Sequence, residues 1–394
     1  MLEARSHGDL VSPSARSAAP NLQLSTRTPA DYPIYWGKAD ITCLFRMTSS
    51  SRYDGLAKSF GTDMKRRDFI VAFVGATAIP LGSPRLACAQ QPKMPLIGFL
   101  HSASPEPFRH LAEALLKGLS DSGFVIGRDA AIEYRWAQGQ YERLPELASD
   151  LVRLNVDVIV SMGGAPAIAA AKAATSTIPI VFTSGRDPVA MGLVPSLNRP
   201  GGNITGIVVL AAQMESKRLG LLREMVPKAV LTAVLLNPRN QDNAQVQFND
   251  IAEMARSSGQ RIQIFQASTD HEIDAAFARM AEMRAEALLV AADPSFNNRR
   301  DRIIALVAQH KIPAIYEQRE FALGGGLASY GTNLADSYRL AAIYIARILK
   351  GEKPSDLPVM QSTKFEFVIN LKTAKTLGLE ISPTLLATAD EAIE

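Results

Sequence analysis

From residue 96 onward, short apolar runs alternate with stretches whose apolar positions recur every three or four residues, the pattern of parallel strands joined by crossover helices. Residues 96–100, Leu-Ile-Gly-Phe-Leu, read as a buried strand. Phe108, Leu111, Leu115 and Leu119 then fall on one helical face, Gly123 and Gly127 close that helix, and 131–136 is the next strand. A second cycle follows, with a helix over 144–154, a continuous apolar strand at 156–160, a small-residue helix over 165–174 and a strand at 178–182. The pattern then restarts: helix 213–225, strand 233–236, helix 244–257, strand 261–265, helix 273–283, strand 287–290, helix 299–310 and strand 312–316.

Corresponding strands of the two series open with the same dipeptide, Ile178-Pro179 and Ile312-Pro313, so the pattern predicts an α/β protein of two similar lobes, each a parallel sheet flanked by helices. Beyond them, Gly324-Gly325-Gly326 leads to a strand at 327–330, a helix over 334–349, a polar Gly/Pro stretch and a strand at 365–369. The chain therefore recrosses between lobes, and several parallel crossings make a hinge rather than a loose linker. The expected division is 94–206 plus about 320–350 for one lobe, and 207–319 plus about 351–394 for the other.

The region before residue 94 differs in kind. From Met64 the chain reads Met-Lys-Arg-Arg-Asp-Phe-Ile-Val-Ala-Phe-Val, a basic start and a short apolar run, and ends in Ala87-Cys88-Ala89; 64–89 reads as a secretory signal peptide cut after Ala89. Arg66-Arg67 also fits a twin-arginine export signal. A buried helix, or a lipid-modified Cys88, are the competing readings. Because a signal peptide must be N-terminal, translation is expected to begin at Met64, with 1–63 a non-native or disordered extension.

Splitting the charge at that point changes its meaning. Residues 1–89 hold 11 Lys+Arg against 7 Asp+Glu, leaving 31 against 32 for the body, so the body has no electrostatic footprint for nucleic acid. Both cysteines, Cys43 and Cys88, lie in the leader, which removes disulfide, thiolate-metal and Cys-nucleophile chemistry from the body. The five histidines have no metal-ligand spacing, and neither a metal nor a cofactor is expected.

In parallel α/β sheets ligands bind beyond the carboxyl ends of the strands, where helix N-termini aim amides outward. Those ends carry His101-Ser102, then Gly163-Gly164-Ala165, then Thr183-Ser184 in the first lobe, and Asp293 and Glu317 in the second. The Gly163-Gly164 turn offers uncapped amides to a carboxylate, or is simply a tight strand-to-helix turn. Asp293 and Glu317 suit an ammonium, or Asp293 merely caps the next helix. His101 and Ser102, adjacent on a strand, point to opposite faces and make a poor base and nucleophile. The chain has no G-x-S-x-G elbow, dinucleotide fingerprint or phosphate loop, which weakens a hydrolase or dehydrogenase reading.

The run Asp187-Pro188-Val189-Ala190-Met191-Gly192-Leu193-Val194, then Pro200-Gly201-Gly202-Asn203-Ile204-Thr205-Gly206, and Leu327-Ala328-Ser329-Tyr330-Gly331 resemble bacterial ABC-transporter substrate-binding proteins of the tryptophan/tyrosine type. The resemblance implies a periplasmic type I binding fold with three hinge crossings, a small ligand in the cleft and no catalysis. It implies Ser102, Gly163, Gly164, Ala165, Thr183, Ser184, Asp293 and Glu317 as pocket residues. The expected protein is an exported monomer that captures a small amino-acid-like solute for a membrane permease; a ligand sensor presenting to a membrane receptor is the alternative.

Overall fold

The computed structural model describes residues 94–211 and 214–394; the proposed extension, the signal peptide and both cysteines lie outside them. The first series runs β1 (Leu96–His101), α1 (Pro105–Asp121), β2 (Ala131–Trp136), α2 (Leu144–Arg153), β3 (Val158–Met162), α3 (Ala165–Ala174), β4 (Ile180–Ser184) and β5 (Ile204–Val208). The second begins α4 (Glu215–Met225), β6 (Leu231–Leu236), α5 (Gln241–Ser258), β7 (Arg261–Gln266), α6 (Asp270–Glu282) and β8 (Ala287–Val290). It continues α7 (Pro294–Asn298), α8 (Arg300–His310), β9 (Ala314–Tyr316), α9 (Arg319–Leu323) and β10 (Ala328–Thr332). The remainder is α10 (Leu334–Leu349), β11 (Met360–Gln361), β12 (Phe365–Asn370), α11 (Leu371–Thr376), α12 (Pro383–Thr388) and β13 (Glu391–Ile393).

Helices cover both faces of each sheet, which is why β3, β4 and β6 are buried at every position and show no polar alternation. On α1, Phe108, Leu111, Leu115 and Leu119 are buried together, as their spacing requires. The first sheet has the order β2-β1-β3-β4-β5-β11 and the second β7-β6-β8-β9-β10-β12-β13, so the repeat read from the chain is also a repeat of topology. The second sheet departs from the expected all-parallel form at one place: β12 runs antiparallel to β10, because only a short connection from the hinge separates it from that sheet.

The lobe boundaries also move. The strand β10 pairs with β9 in the second sheet, so the return crossing falls at Asn333 rather than near residue 320. The segment through β11 stays with the first sheet, pairing with β5, so the last crossing lies between Gln361 and Phe365 rather than near 351. Between them α10 packs on α1, where a Cβ at Gly118 would come within 2.8 Å of Ala342 Cβ. Among the described residues, the chain passes between the sheets after β5, after β10 and after β11. They are bonded to one another: Thr332 Oγ1 donates to Val209 O at 2.9 Å, Asn333 N to Lys364 O at 2.9 Å and Ser362 N to Val208 O at 2.8 Å.

A fully buried pair braces the hinge. Glu215 Oε2 and Arg218 Nη1 lie 2.8 Å apart with no exposure; Glu215 Oε1 accepts from Ala292 N, and Arg218 Nε donates to Tyr330 O at 2.7 Å. Each charge is thus both paired and hydrogen-bonded, the condition for an ion pair to be tolerated away from water.

Candidate functional site

In each sheet the strand order reverses beside the first strand of the series, β1 against β3 and β6 against β8, and the crossovers there leave in opposite directions. A crevice opens at that point, at the strands' carboxyl ends. The two crevices face each other across one cavity lined by residues of both lobes.

Of the eight expected residues, Gly163, Gly164, Ala165, Thr183, Asp293 and Glu317 line this cavity. Ser102 and Ser184 do not. Both are fully buried, with Ser102 Oγ donating to Gly163 O at 2.5 Å and Ser184 Oγ to Arg186 O at 2.8 Å. Their hydroxyls shape the two turns instead of facing the cleft, because the strand's alternation turns them into the loops behind it.

The first-lobe wall consists of donors. Gly163 has φ +85°, and a Cβ there would lie 2.6 Å from Ser102 Oγ and 2.9 Å from His101 Nδ1, so only glycine lets the chain leave β3 this closely over β1. Gly164, at φ +91° and ψ −174°, caps α3 without a side chain, leaving the first-turn amides uncapped at the positive end of the helix. Thr183 Oγ1 is buried beside them with no hydrogen-bond partner among the described residues.

The second-lobe wall carries the acids. Asp293 caps α7 through Ser295 N, so both readings of this residue apply at once: it caps a helix and faces the cavity. Its Oδ1 also accepts from Asn237 Nδ2 at 2.8 Å and Tyr141 Oη at 3.0 Å, and its Oδ2 from Asn240 Nδ2 at 3.0 Å. Burial raises its pKa, and these four donors pull the other way. Glu317 lacks such donors: burial pushes its carboxyl up to about 7, with Arg218 opposing and the carboxylates of Glu215, Asp293 and Glu320 adding to the rise.

Several lining residues carried no signal in the strand-end reading. Arg186 lies two residues past Ser184, beyond the strand end itself. Phe108 and Tyr338 come from α1 and α10 and form, with His101, an apolar wall. Burial lowers the His101 pKa to about 3, so the ring is neutral. Its Nδ1 accepts from Ala103 N at 2.9 Å, which places the ring proton on Nε2, facing Tyr338 Oη at 3.3 Å. The tyrosine hydroxyl accepts that proton and keeps its own hydrogen to donate.

Polar contacts bridge the cleft. Tyr141 reaches Asp293, Ser104 N donates to Asn298 Oδ1 at 3.0 Å, His110 Nε2 lies 2.9 Å from Glu320 Oε1, and Arg186 Nη1 lies 3.5 Å from Asp242 Oδ2. The lobes are closed on each other.

The model of the family "ABC transporter substrate binding protein" matches residues 105–393. The chain belongs to this family. A tyrosine-binding protein of Clostridioides difficile is 27% identical over 268 residues, 68% of this chain and 76% of that one. Among solved structures, a conserved domain protein of Vibrio cholerae superposes with a TM-score of 0.70 at 27% identity, covering 76% of this chain and 100% of that one. A Streptococcus pneumoniae ABC domain in complex with L-Trp gives 0.69 at 24%, over 76% and 99% of the two chains. A ligand-free, open substrate binding protein with adhesive properties from Clostridium difficile gives 0.56 at 26%, over 76% and 99%.

In this substrate-binding protein the motifs that carried the resemblance do not line the central cavity, although Ala190, Met191 and Leu193 border its mouth. Asn203 Nδ2 donates to Ile178 O at 2.8 Å, holding the entry to β4, and Asp187 Oδ1 accepts from Val189 N at 2.8 Å in the turn behind Arg186.

Proposed function

We propose that this substrate-binding protein captures a small amino-acid-like solute between its lobes outside the cytoplasm and delivers it to the membrane permease of an ABC importer, without chemical turnover. The observation that carries this reading is the polarity of the cavity: uncapped amides and a free hydroxyl on one wall, carboxyl groups on the other, and an aromatic wall between. A carboxylate suits the first, an ammonium the second, and an apolar substituent the third. Desolvation makes each contact stronger than in water, and the solute's preference for the closed form drives closure. The tyrosine-binding relative and the L-Trp complex support an amino-acid ligand. The weaker superposition on an open structure agrees with the contacts that bridge the cleft.

Turnover has little support here. His101 has both ring nitrogens engaged and a depressed pKa, so it offers no base to a bound solute. Isothermal titration and small-angle scattering of the protein with the common amino acids test the reading: one-to-one binding with compaction is expected. Consumption of the bound compound, or binding without any compaction, contradicts it.

A further inference from the structure

The first-lobe wall holds one group the reading above does not use. Arg186 follows the turn at the end of β4, where Ser184 Oγ accepts from Arg186 N at 3.1 Å and donates to Arg186 O, pinning the backbone so that the side chain lies along the cleft. That side chain borders both the central cavity and its mouth and is 15% exposed. Its Nε and Nη1 are buried with no hydrogen-bond partner among the described residues. An arginine stays charged at any physiological pH, and a buried guanidinium with unfilled N–H groups is costly unless something supplies acceptors.

The protein supplies little. Among the described residues its one ion pair is with Asp242, at 3.5 Å from Nη1 and 81% exposed, a contact that water screens and that leaves Nε unfilled. Neither Asp293 nor Glu317 forms an ion pair with it. Thr183, three residues earlier at the same strand end, also presents an unfilled hydroxyl, and the α3 amides leave the neighbouring strand end. This wall has donors of three kinds and an unsatisfied positive charge, and the acceptor that completes it must come from the solute.

We propose that Arg186 anchors an acid group of the captured solute, so that the cleft selects compounds with a free carboxylate over their amides. The assignment rests on the solute-capture reading above and names the class of solute it admits. A carboxylate is the planar acceptor that matches the guanidinium fork, and an uncharged amide presents one oxygen and a clashing NH₂ in its place.

The test is titration of the full chain with matched pairs: tyrosine and tyrosinamide, leucine and leucinamide, glutamate and glutamine, 4-hydroxybenzoate and 4-hydroxybenzamide. At least one acid should bind at least about tenfold tighter than its amide, and Arg186→Gln should bring the two within about threefold. Arg186→Lys, which keeps the charge without the fork, should retain part of the preference. Asp242→Asn should leave the preference intact. The acid-against-amide comparison on the unaltered protein stands even if a variant misfolds. Binding in which no acid is tighter than its amide, or a preference that survives Arg186→Gln or disappears in Asp242→Asn, overturns the assignment while leaving solute capture in place. Silence of every compound with the unaltered protein overturns both.

Discussion

Removing the Tyr141 hydroxyl isolates the energy of closure. Tyr141 packs against the first-lobe core, and its hydroxyl reaches Asp293 in the second lobe at 3.0 Å, a bond that exists only while the cleft is shut. Tyr141→Phe keeps the ring and its packing. Asp293 is not stranded by the change, because Asn237, Asn240 and Ser295 N still donate to it. The loss is therefore one hydrogen bond to a charged group, at the low end of its range, roughly 1.5 kcal/mol. Apparent affinity scales with the population of the closed form, so the same figure corresponds to roughly tenfold weaker binding of whichever acid the titrations identify. Because the open form lacks the bond, the melting temperature of the unliganded protein should change little. Titration and thermal melts of the two proteins side by side measure both quantities. Unaltered affinity, or a fall in unliganded stability with no change in binding, refutes the role of this bond in closure.

Two further outcomes are expected. Gly163→Ala should lower the melting temperature markedly, since the φ of +85° alone costs about 1–3 kcal/mol for a side-chain-bearing residue and the new Cβ meets Ser102 N at 2.7 Å; Gly164→Ala, with only Pro294 Cγ near at 3.7 Å, should cost less, and equal losses would contradict the packing argument. Stability should fall as pH rises between about 4.5 and 7: Glu317 keeps its proton to about 7 in the folded protein but gives it up near 4.5 when unfolded, so the native state binds more protons in that window. Glu317→Gln should flatten this slope in pH-dependent melts, and binding of an amine-bearing acid should strengthen over the same rise as the carboxylate forms.

The periodicity of the apolar positions was enough for the two lobes and their strand sequence, since burial on both faces of a sheet leaves an uninterrupted apolar run that any stretch of chain displays by itself. Gly163 and Thr183 were likewise readable, because a parallel strand always delivers its carboxyl end to the same edge of the sheet. The crossings were read too early or too late: whether 327–332 pairs with one sheet or the other depends on a neighbour, β12, that joins from more than thirty residues away.

What no local pattern could decide is which polar group at a strand end is left free. Ser102 and Ser184 looked as available as Thr183, yet their hydroxyls are consumed by Gly163 and Arg186, while Thr183 and the Arg186 guanidinium are not consumed by anything among the described residues. Asp293 is filled on both oxygens by partners 53 to 152 residues distant on both lobes. Hydrogen-bond satisfaction belongs to pairs brought together by folding, so the sequence by itself determined the scaffold and the strand ends that border the cavity, and only the tertiary structure decided which charges and donors remain free there.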